Sequence, residues 1–375
     1  VRVSAVFSAS GFRVPPHAAN SSAAQASIFV FIRISIFTLR TNIRIFPTFA
    51  CTHRTDMQPE RICTLFFSPT GTSRKTGTAV ARGIAAPFAA TADSTATDRA
   101  TATADSSGST DPANHAAEAN RVAATPENGP IPVRALDLTH AAPRPETLSA
   151  DTVAVFAAPV YGGRIPRTAL ERMEGIRGEG TPAVVIAVYG NRAFEKAAAE
   201  LADFVRARGF VPVAAAAFVG EHSYSTERTP IAAGRPDGQD LAAAEAFGRA
   251  VRRKLAGQGP LPVDAARLKA PGTPLVPLLR FIRFVLAYRR RQKKHPVVLL
   301  PAGSADRCTH CGRCAAVCPT GAIARGDELR TDAARCIRCC ACVKGCPVGA
   351  RTFETPFAAA LSRNFARRKP PVTLL

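Results

Sequence analysis

Eight cysteines fall into two runs of one spacing. Cys308, Cys311, Cys314 and Cys318 precede Pro319, and Cys336, Cys339, Cys342 and Cys346 precede Pro347. Both runs read C-x2-C-x2-C-x3-C-P at an offset of 28 residues, and Gly321-Ala322 recurs in register as Gly349-Ala350. A [4Fe–4S] cube needs four thiolates at its corners, and two-residue spacers wrap three of them round one cube. The proline redirects the chain after each fourth cysteine, so each run lends its last ligand to the other cluster. One cluster then takes Cys308, Cys311, Cys314 and Cys346; the other takes Cys336, Cys339, Cys342 and Cys318. Crossed ligation ties the halves together and lets a small domain with little core fold. Structural zinc is the alternative, because C-x2-C pairs also serve that metal. Zinc needs only four ligands per site and no proline, and it does not explain a duplicated unit. Cys340 reads as a spare thiol, Cys63 as a buried small hydrophobe, and His310 either tunes a cluster through a hydrogen bond or is simply exposed. Nine clustered cysteines without a convincing signal peptide suit a reducing compartment, the cytoplasm.

A second constellation lies near residue 70. After the apolar run Ile62–Phe67 come Ser68-Pro69-Thr70-Gly71-Thr72-Ser73 and a helical pattern. A strand, a hydroxyl-rich glycine loop and a helix start form an anion site, since backbone N–H groups and the helix dipole face the ligand. The loop lacks the Gly-Lys-Ser/Thr of a Walker loop and is not G-x-G-x-x-G. It resembles the T/S-x-T-G-x-T phosphate loop of flavodoxins, which implies FMN. Two further loops follow strand patterns: Pro159-Val160-Tyr161-Gly162-Gly163-Arg164 and Tyr189-Gly190-Asn191-Arg192. Both are expected at the carboxyl ends of strands, where open sheets bind ligands. Tyr161 or Tyr189 is a candidate to stack on an isoalloxazine ring. The expected flavin-binding set is Ser68, Thr70, Gly71, Thr72, Ser73, Pro159, Tyr161, Gly162, Gly163, Tyr189, Gly190 and Asn191. Glu221, His222 and Tyr224 either supply protons nearby or form a hydrogen-bonded loop.

These loops need a sheet to hold them. Strand patterns occur at 62–67, 133–138, 152–158, 183–188 and 211–219, and helical patterns at 72–84, 193–208 and 240–255. Strands alternating with helices imply an α/β fold with a doubly wound, parallel, five-stranded sheet. Val155–Ala158 and Val184–Val188 are apolar on both faces, as central strands are. Residues 89–130, rich in Ala, Thr, Ser, Asp and Gly, are expected to be a disordered insertion. Residues 256–300 read as a proline-rich linker with an amphipathic basic helix over 278–294. Residues 355–375 read as a basic tail.

Taken together, residues 57–255 resemble a flavodoxin-like domain and residues 301–354 a two-cluster bacterial ferredoxin. The order of the two, with Phe67–Ser73, Val160–Arg164 and Gly220-Glu221-His222-Ser223-Tyr224-Ser225, is similar to a bacterial flavodoxin–ferredoxin fusion family. That resemblance covers about two-thirds of the chain. It implies electron transfer between FMN, two [4Fe–4S] clusters and external redox proteins, and it names no substrate. A flavin-dependent reductase of a quinone or nitroaromatic is the alternative, and a redox-sensing binding protein that uses the basic segments is a third reading.

The charge sets limits on that third reading. The 375 residues carry 49 Lys+Arg and 28 Asp+Glu, a net of +21. The excess is not spread evenly. Residues 1–56 contribute +5, 249–294 contribute +12 and 355–375 contribute +4, whereas 57–248 sum to −3 and 295–354 to +3. With no helix-turn-helix or aromatic–basic platform, specific nucleic-acid binding is not expected. The basic helix suits a membrane surface or an acidic partner, or is a packed linker with solvated charges. No uninterrupted apolar run reaches the roughly 20 residues of a spanning helix. Residues 1–56, which precede the first methionine, are expected to be a transit-like leader or a start assigned too early.

Overall fold

The computed structural model describes residues 56–87 and 130–375. The expected leader and nearly all of the expected insertion lie outside the described residues.

The sheet is built where the apolar runs predicted it. Its elements are β1 (Arg61–Phe66), α1 (Thr72–Ala85), β2 (Val133–Asp137), β3 (Glu146–Leu148), β4 (Thr152–Pro159), α2 (Arg167–Met173), β5 (Ile176–Gly178), β6 (Thr181–Tyr189), α3 (Ala197–Arg206), β7 (Phe210–Val219) and α4 (Gly238–Gln258). Then follow α5 (Leu275–Lys294), β8 (Ala302–Gly303), α6 (Arg313–Ala316), α7 (Ala341–Lys344), β9 (Arg351–Thr352), α8 (Pro356–Asn364) and β10 (Val372–Leu374). The main sheet runs β10-β7-β6-β4-β1-β2. Its five long strands are parallel, and their order is the 2-1-3-4-5 of the flavodoxin-like doubly wound fold. β4 and β6 are buried along their whole length because helices cover both faces.

One apolar cluster lies on each side of the sheet. Leu65, Phe156, Val185, Leu201 and Val205 meet under α3, and Val155, Ile186, Val80, Ile84 and Val251 meet under α1 and α4. α1 and α4 pack backbone to backbone at two glycines. A Cβ on Gly83 would lie 2.0 Å from the Glu245 carbonyl oxygen, and one on Gly248 would lie 2.1 Å from that of Val80.

Three features depart from the sequence reading. β3 and β5, too short to show a pattern, pair in a separate two-stranded sheet. The linker is not free: Val263 donates its N–H to the Pro212 carbonyl at 2.7 Å, and Val263, Ala265 and Leu268 are buried in the core. The tail is folded, and it makes the sheet six-stranded rather than five. β10 returns to pair antiparallel with the outer edge of β7, Val372 opposite Ala217 and Leu374 opposite Ala215. The tail's charges explain its placement. Arg368 forks onto Asp237 at 2.6 and 3.0 Å and reaches Asp240 at 3.1 Å, and Lys369 donates to the Arg192 carbonyl at 2.6 Å.

Candidate functional site

The phosphate-loop residues sit between β1 and α1 at the carboxyl end of the sheet. Gly71 adopts the left-handed conformation (φ 83°) that turns the chain into α1, and as the N-cap residue it offers no side-chain cap. Ser68 Oγ accepts from the Arg74 N–H at 3.0 Å, and the Ser68 N–H donates to Thr139 Oγ1 at 2.9 Å. Ser73 Oγ is buried with no partner among the described residues. Half-buried hydroxyls at Ser68, Thr70 and Thr72 complete the loop. The Thr72 and Ser73 amides at the start of α1, the hydroxyls of Thr70 and Thr72 and the orphaned Ser73 Oγ are the donor set an anion would satisfy.

The second loop turns at Gly162 and Gly163 (φ 61° and 85°), and Tyr161 and Arg164 exchange backbone hydrogen bonds across it at 2.9 and 3.2 Å. A Cβ on Gly163 would lie 2.1 Å from a Glu195 carboxylate oxygen, so a side chain there would have to push that carboxylate aside. Pro159, at the end of β4, is buried. Burial holds the Tyr161 phenol well above its ordinary pKa, as do the thiols of Cys339 and Cys340 beside it, while a hydrogen bond with Ser223 opposes the shift.

Two residues of the third loop stand elsewhere than expected. Tyr189 is 2% exposed and packs edge-on against Phe194 in the core, ring centroids 5.4 Å apart, so its face is not open to a ligand. Its strand alternation points it into the cluster under α3. Asn191, 1% exposed, spends its side-chain amide on the carbonyls of Phe365 (2.6 Å) and Arg367 (2.9 Å), pinning the C-terminal segment. Gly190 gives way to His222: a Cβ there would stand 2.2 Å from the imidazole.

His222, Tyr224 and Glu221 form a linked loop. The His222 and Tyr224 rings meet at 4.7 Å, and Tyr224 meets Phe353 at 5.0 Å. The His222 Nδ1 accepts from the Tyr224 N–H at 3.0 Å. Burial, then Arg192 and Lys344, push the imidazole pKa down to about 4. Burial, then the neighbouring Cys340, push the Tyr224 phenol up to about 12. Glu221 pairs with Lys344 of α7 at 2.6 Å.

The cysteines line two cavities. Cys308, Cys311, Cys314 and Cys346 line one with Glu328 and Arg351; Cys318, Cys336, Cys339 and Cys342 line the other with Pro319, Ile323 and Ile337. These are the two crossed sets read from the spacing. Among the described residues no three such side chains converge as the ligands of one metal ion would; a cube carries its irons at separate corners, so its thiolates ring a space.

The duplication extends to the backbone. The Ala322 N–H donates to Cys318 Sγ and the Ala350 N–H to Cys346 Sγ, both at 3.2 Å. Gly321 and Gly349 (φ 63° and 60°) present those amides. Burial raises the Cys346 thiol, but N–H donors from residues 348–351 outweigh it and the net shift is downward. His310 and Arg338 (φ 52° and 56°) correspond, as do Gly312 and Cys340 (φ 71° and 58°). Cys340 is thus a buried cysteine where the first repeat has glycine. His310 is largely exposed and faces Glu328 at 3.1 Å.

Two arginines escaped the sequence reading because nothing local marks them. Arg351 is 3% exposed and donates to the carbonyls of Glu328 (2.6 Å) and Pro301 (3.0 Å). Its charge favours the thiolate forms of Cys314, Cys336 and Cys342, so it acts on both cavities. Arg172 of α2 donates to the Leu138 carbonyl at 2.9 Å and to the Thr139 and Pro319 carbonyls, joining the phosphate-loop side of the sheet to the second cavity.

Residues 303–324 match the family model of a 4Fe-4S binding domain, a span that holds Cys308, Cys311, Cys314 and Cys318. No curated protein matches. Among solved structures, the chain is similar to a flavodoxin from the domain Archaea (11% identity, covering 52% of this chain and 98% of that one, TM-score 0.26). It is similar also to rubredoxin oxygen:oxidoreductase from the anaerobe Desulfovibrio gigas (8% identity, 54% and 37% covered, TM-score 0.29) and to the flavodiiron protein from Giardia intestinalis (15% identity, 54% and 37% covered, TM-score 0.26). The chain spans just over a third of those two longer proteins. By its strand order the sheet is flavodoxin-like, and residues 303–324 carry the 4Fe-4S binding match.

Proposed function

We propose that the protein transfers electrons between an FMN in the crevice above β1, β4 and β6, two [4Fe–4S] clusters in the cysteine cavities, and external redox proteins. One observation carries this reading: side-chain contacts bridge the sheet's loop end and the cysteine region. Arg172 donates to the Pro319 carbonyl, Glu221 pairs with Lys344, Tyr224 packs on Phe353 at 5.0 Å, and Cys339 and Cys340 bear electrostatically on the Tyr161 phenol.

FMN supplies two-electron and one-electron exchange, and each cluster exchanges one electron. The chain's own residues do the rest. Thr72 and Ser73 at the start of α1, with Ser68 and Thr70, would hold the phosphate. Tyr161 offers an aromatic face at the crevice; Gly162 and Gly163 bring backbone close. Cys308, Cys311, Cys314 and Cys346 would hold one cluster and Cys336, Cys339, Cys342 and Cys318 the other, with Arg351 countering the charge of both. Clustered free thiols suit the reducing cytoplasm, where we place the protein.

The test is anaerobic purification of the full chain with iron, sulfide and flavin counted. About eight irons and one FMN per chain are expected from two cubes and one flavin site. Stepwise reduction should then move electrons between flavin and clusters within one chain. Isolated flavin reduction that never reaches the clusters would defeat the proposal. Steady turnover of a quinone or nitroaromatic without a protein partner would make it a reductase instead.

A further inference from the structure

α5 presents two faces, and among the described residues only one of them is packed against another element. Phe281, Phe284, Val285 and Tyr288 pack on α8 and its C-cap: Phe281 meets Phe365 at 5.0 Å, and Phe284 and Tyr288 meet Phe357 at 5.1 and 4.9 Å. A second stripe points away from that contact. Leu275, Leu279, Ile282 and Leu286 follow an i, i+4, i+7, i+11 spacing and are 67%, 49%, 42% and 47% exposed. The helix holds seven cations (Arg280, Arg283, Arg289, Arg290, Arg291, Lys293 and Lys294) and no acid, and all seven are exposed. At 100° per residue, Arg283 and Arg290 flank the apolar stripe on one side, Arg289 flanks it on the other, and Lys293 continues its line.

We infer that this face of α5 rests on an anionic lipid bilayer, with the four aliphatic side chains below the headgroups and the flanking cations among the phosphates. An exposed apolar stripe bordered by cations is the pattern of a helix lying in the membrane interface. The charge favours an anionic surface over a neutral one: seven exposed cations lie on one helix that carries no acid. The helix does not cross the bilayer, since no described helix is long and apolar enough to do so. The buried face, clamped by the aromatic residues of α8, fixes the helix to the redox body, so binding would hold both candidate cofactor sites at the membrane surface.

The test is flotation of the full, cofactor-loaded chain with vesicles of phosphatidylcholine alone and with 30% phosphatidylglycerol, at low and high salt. Binding is expected only to the anionic vesicles and is expected to weaken with salt. Replacing Arg283 and Arg290 together by Gln should lower the anionic-vesicle affinity about 30-fold, at roughly a factor of five per charge. Ile282→Glu should lower it about tenfold or more, with iron content and circular dichroism unchanged, because Ile282 is 42% exposed and lies off the face that packs on α8. Absence of binding to anionic vesicles, equal binding to neutral ones, or full binding by both variants would overturn the inference. Binding of an acidic amphipathic peptide in place of vesicles would also overturn it.

Discussion

Cys340 occupies a position that the first repeat gives to glycine, and it holds a left-handed backbone (φ 58°) at the start of α7. A non-glycine residue there costs about 1 kcal/mol. Cys340→Gly should therefore keep all the iron of the parent while removing that cost, which iron analysis and anaerobic denaturation would measure. Cys318→Ala should halve the iron, losing the site of Cys336, Cys339 and Cys342 and sparing the other; loss of all the iron would argue against two independent cavities. His222 makes a pH prediction. Its folded pKa of about 4 lies below the unfolded value of about 6.5, so the unfolded chain takes up a proton first. Its contribution to stability is complete above pH 6.5 and is lost as pH falls towards 4, about 1 kcal/mol between pH 7.5 and 5.5. His222→Gln should flatten that interval in anaerobic urea titrations. At this scale the thiols were legible because a cluster dictates spacing. Tyr189 and Asn191 were not, because their roles depend on Phe194 and on carbonyls more than 170 residues away.

At the scale of elements, the parallel strands were readable from apolar runs, and α1, α3 and α4 from their periodicity. What escaped was short or paid for by tertiary contacts. α2 has seven residues, and β10 has three, whose partner lies on β7. The basic tail gave no sign of its acceptors, the capping box of α4. There Asp237 and Asp240 bond each other's backbone and bind Arg368, while Arg235 forks onto Asp240 at 2.8 Å and a shorter contact, both partners about 95% buried. Arg235→Ala would strand the Asp240 carboxylate and should cost about 3–5 kcal/mol in a denaturant titration. Asn191→Ala would leave the Phe365 and Arg367 carbonyls without their donor and should cost about 2 kcal/mol while leaving the flavin content unchanged.

At the scale of the whole molecule, the charge reading survives in altered form. Two of the tail's four cations, Arg368 and Lys369, are engaged by Asp237, Asp240 and a backbone carbonyl, whereas Arg363 and Arg367, like the cations of α5, are exposed. The contact between crevice and cysteine region also has a kinetic signature. Glu221→Gln removes the ion pair with Lys344 at 2.6 Å. Transfer from flavin to clusters should slow severalfold in stopped-flow traces at unchanged iron and flavin content. An unchanged rate would mean that Arg172 and the tyrosines suffice to hold the two sites together.

The return of β10 has a consequence for biogenesis. A ribosome makes the parallel strands first, the cysteine region next and β10 after both. Until residues 372–374 emerge, the outer edge of β7 has unpaired N–H and C=O groups, the kind of edge that invites association with other chains. The cysteine region is thus translated while its neighbour is still unsealed, which leaves an interval for metal delivery before the final strand closes the sheet. A nascent chain stalled before Val372 would expose that edge to chaperones and to its own copies, and its lifetime should depend on how quickly synthesis resumes.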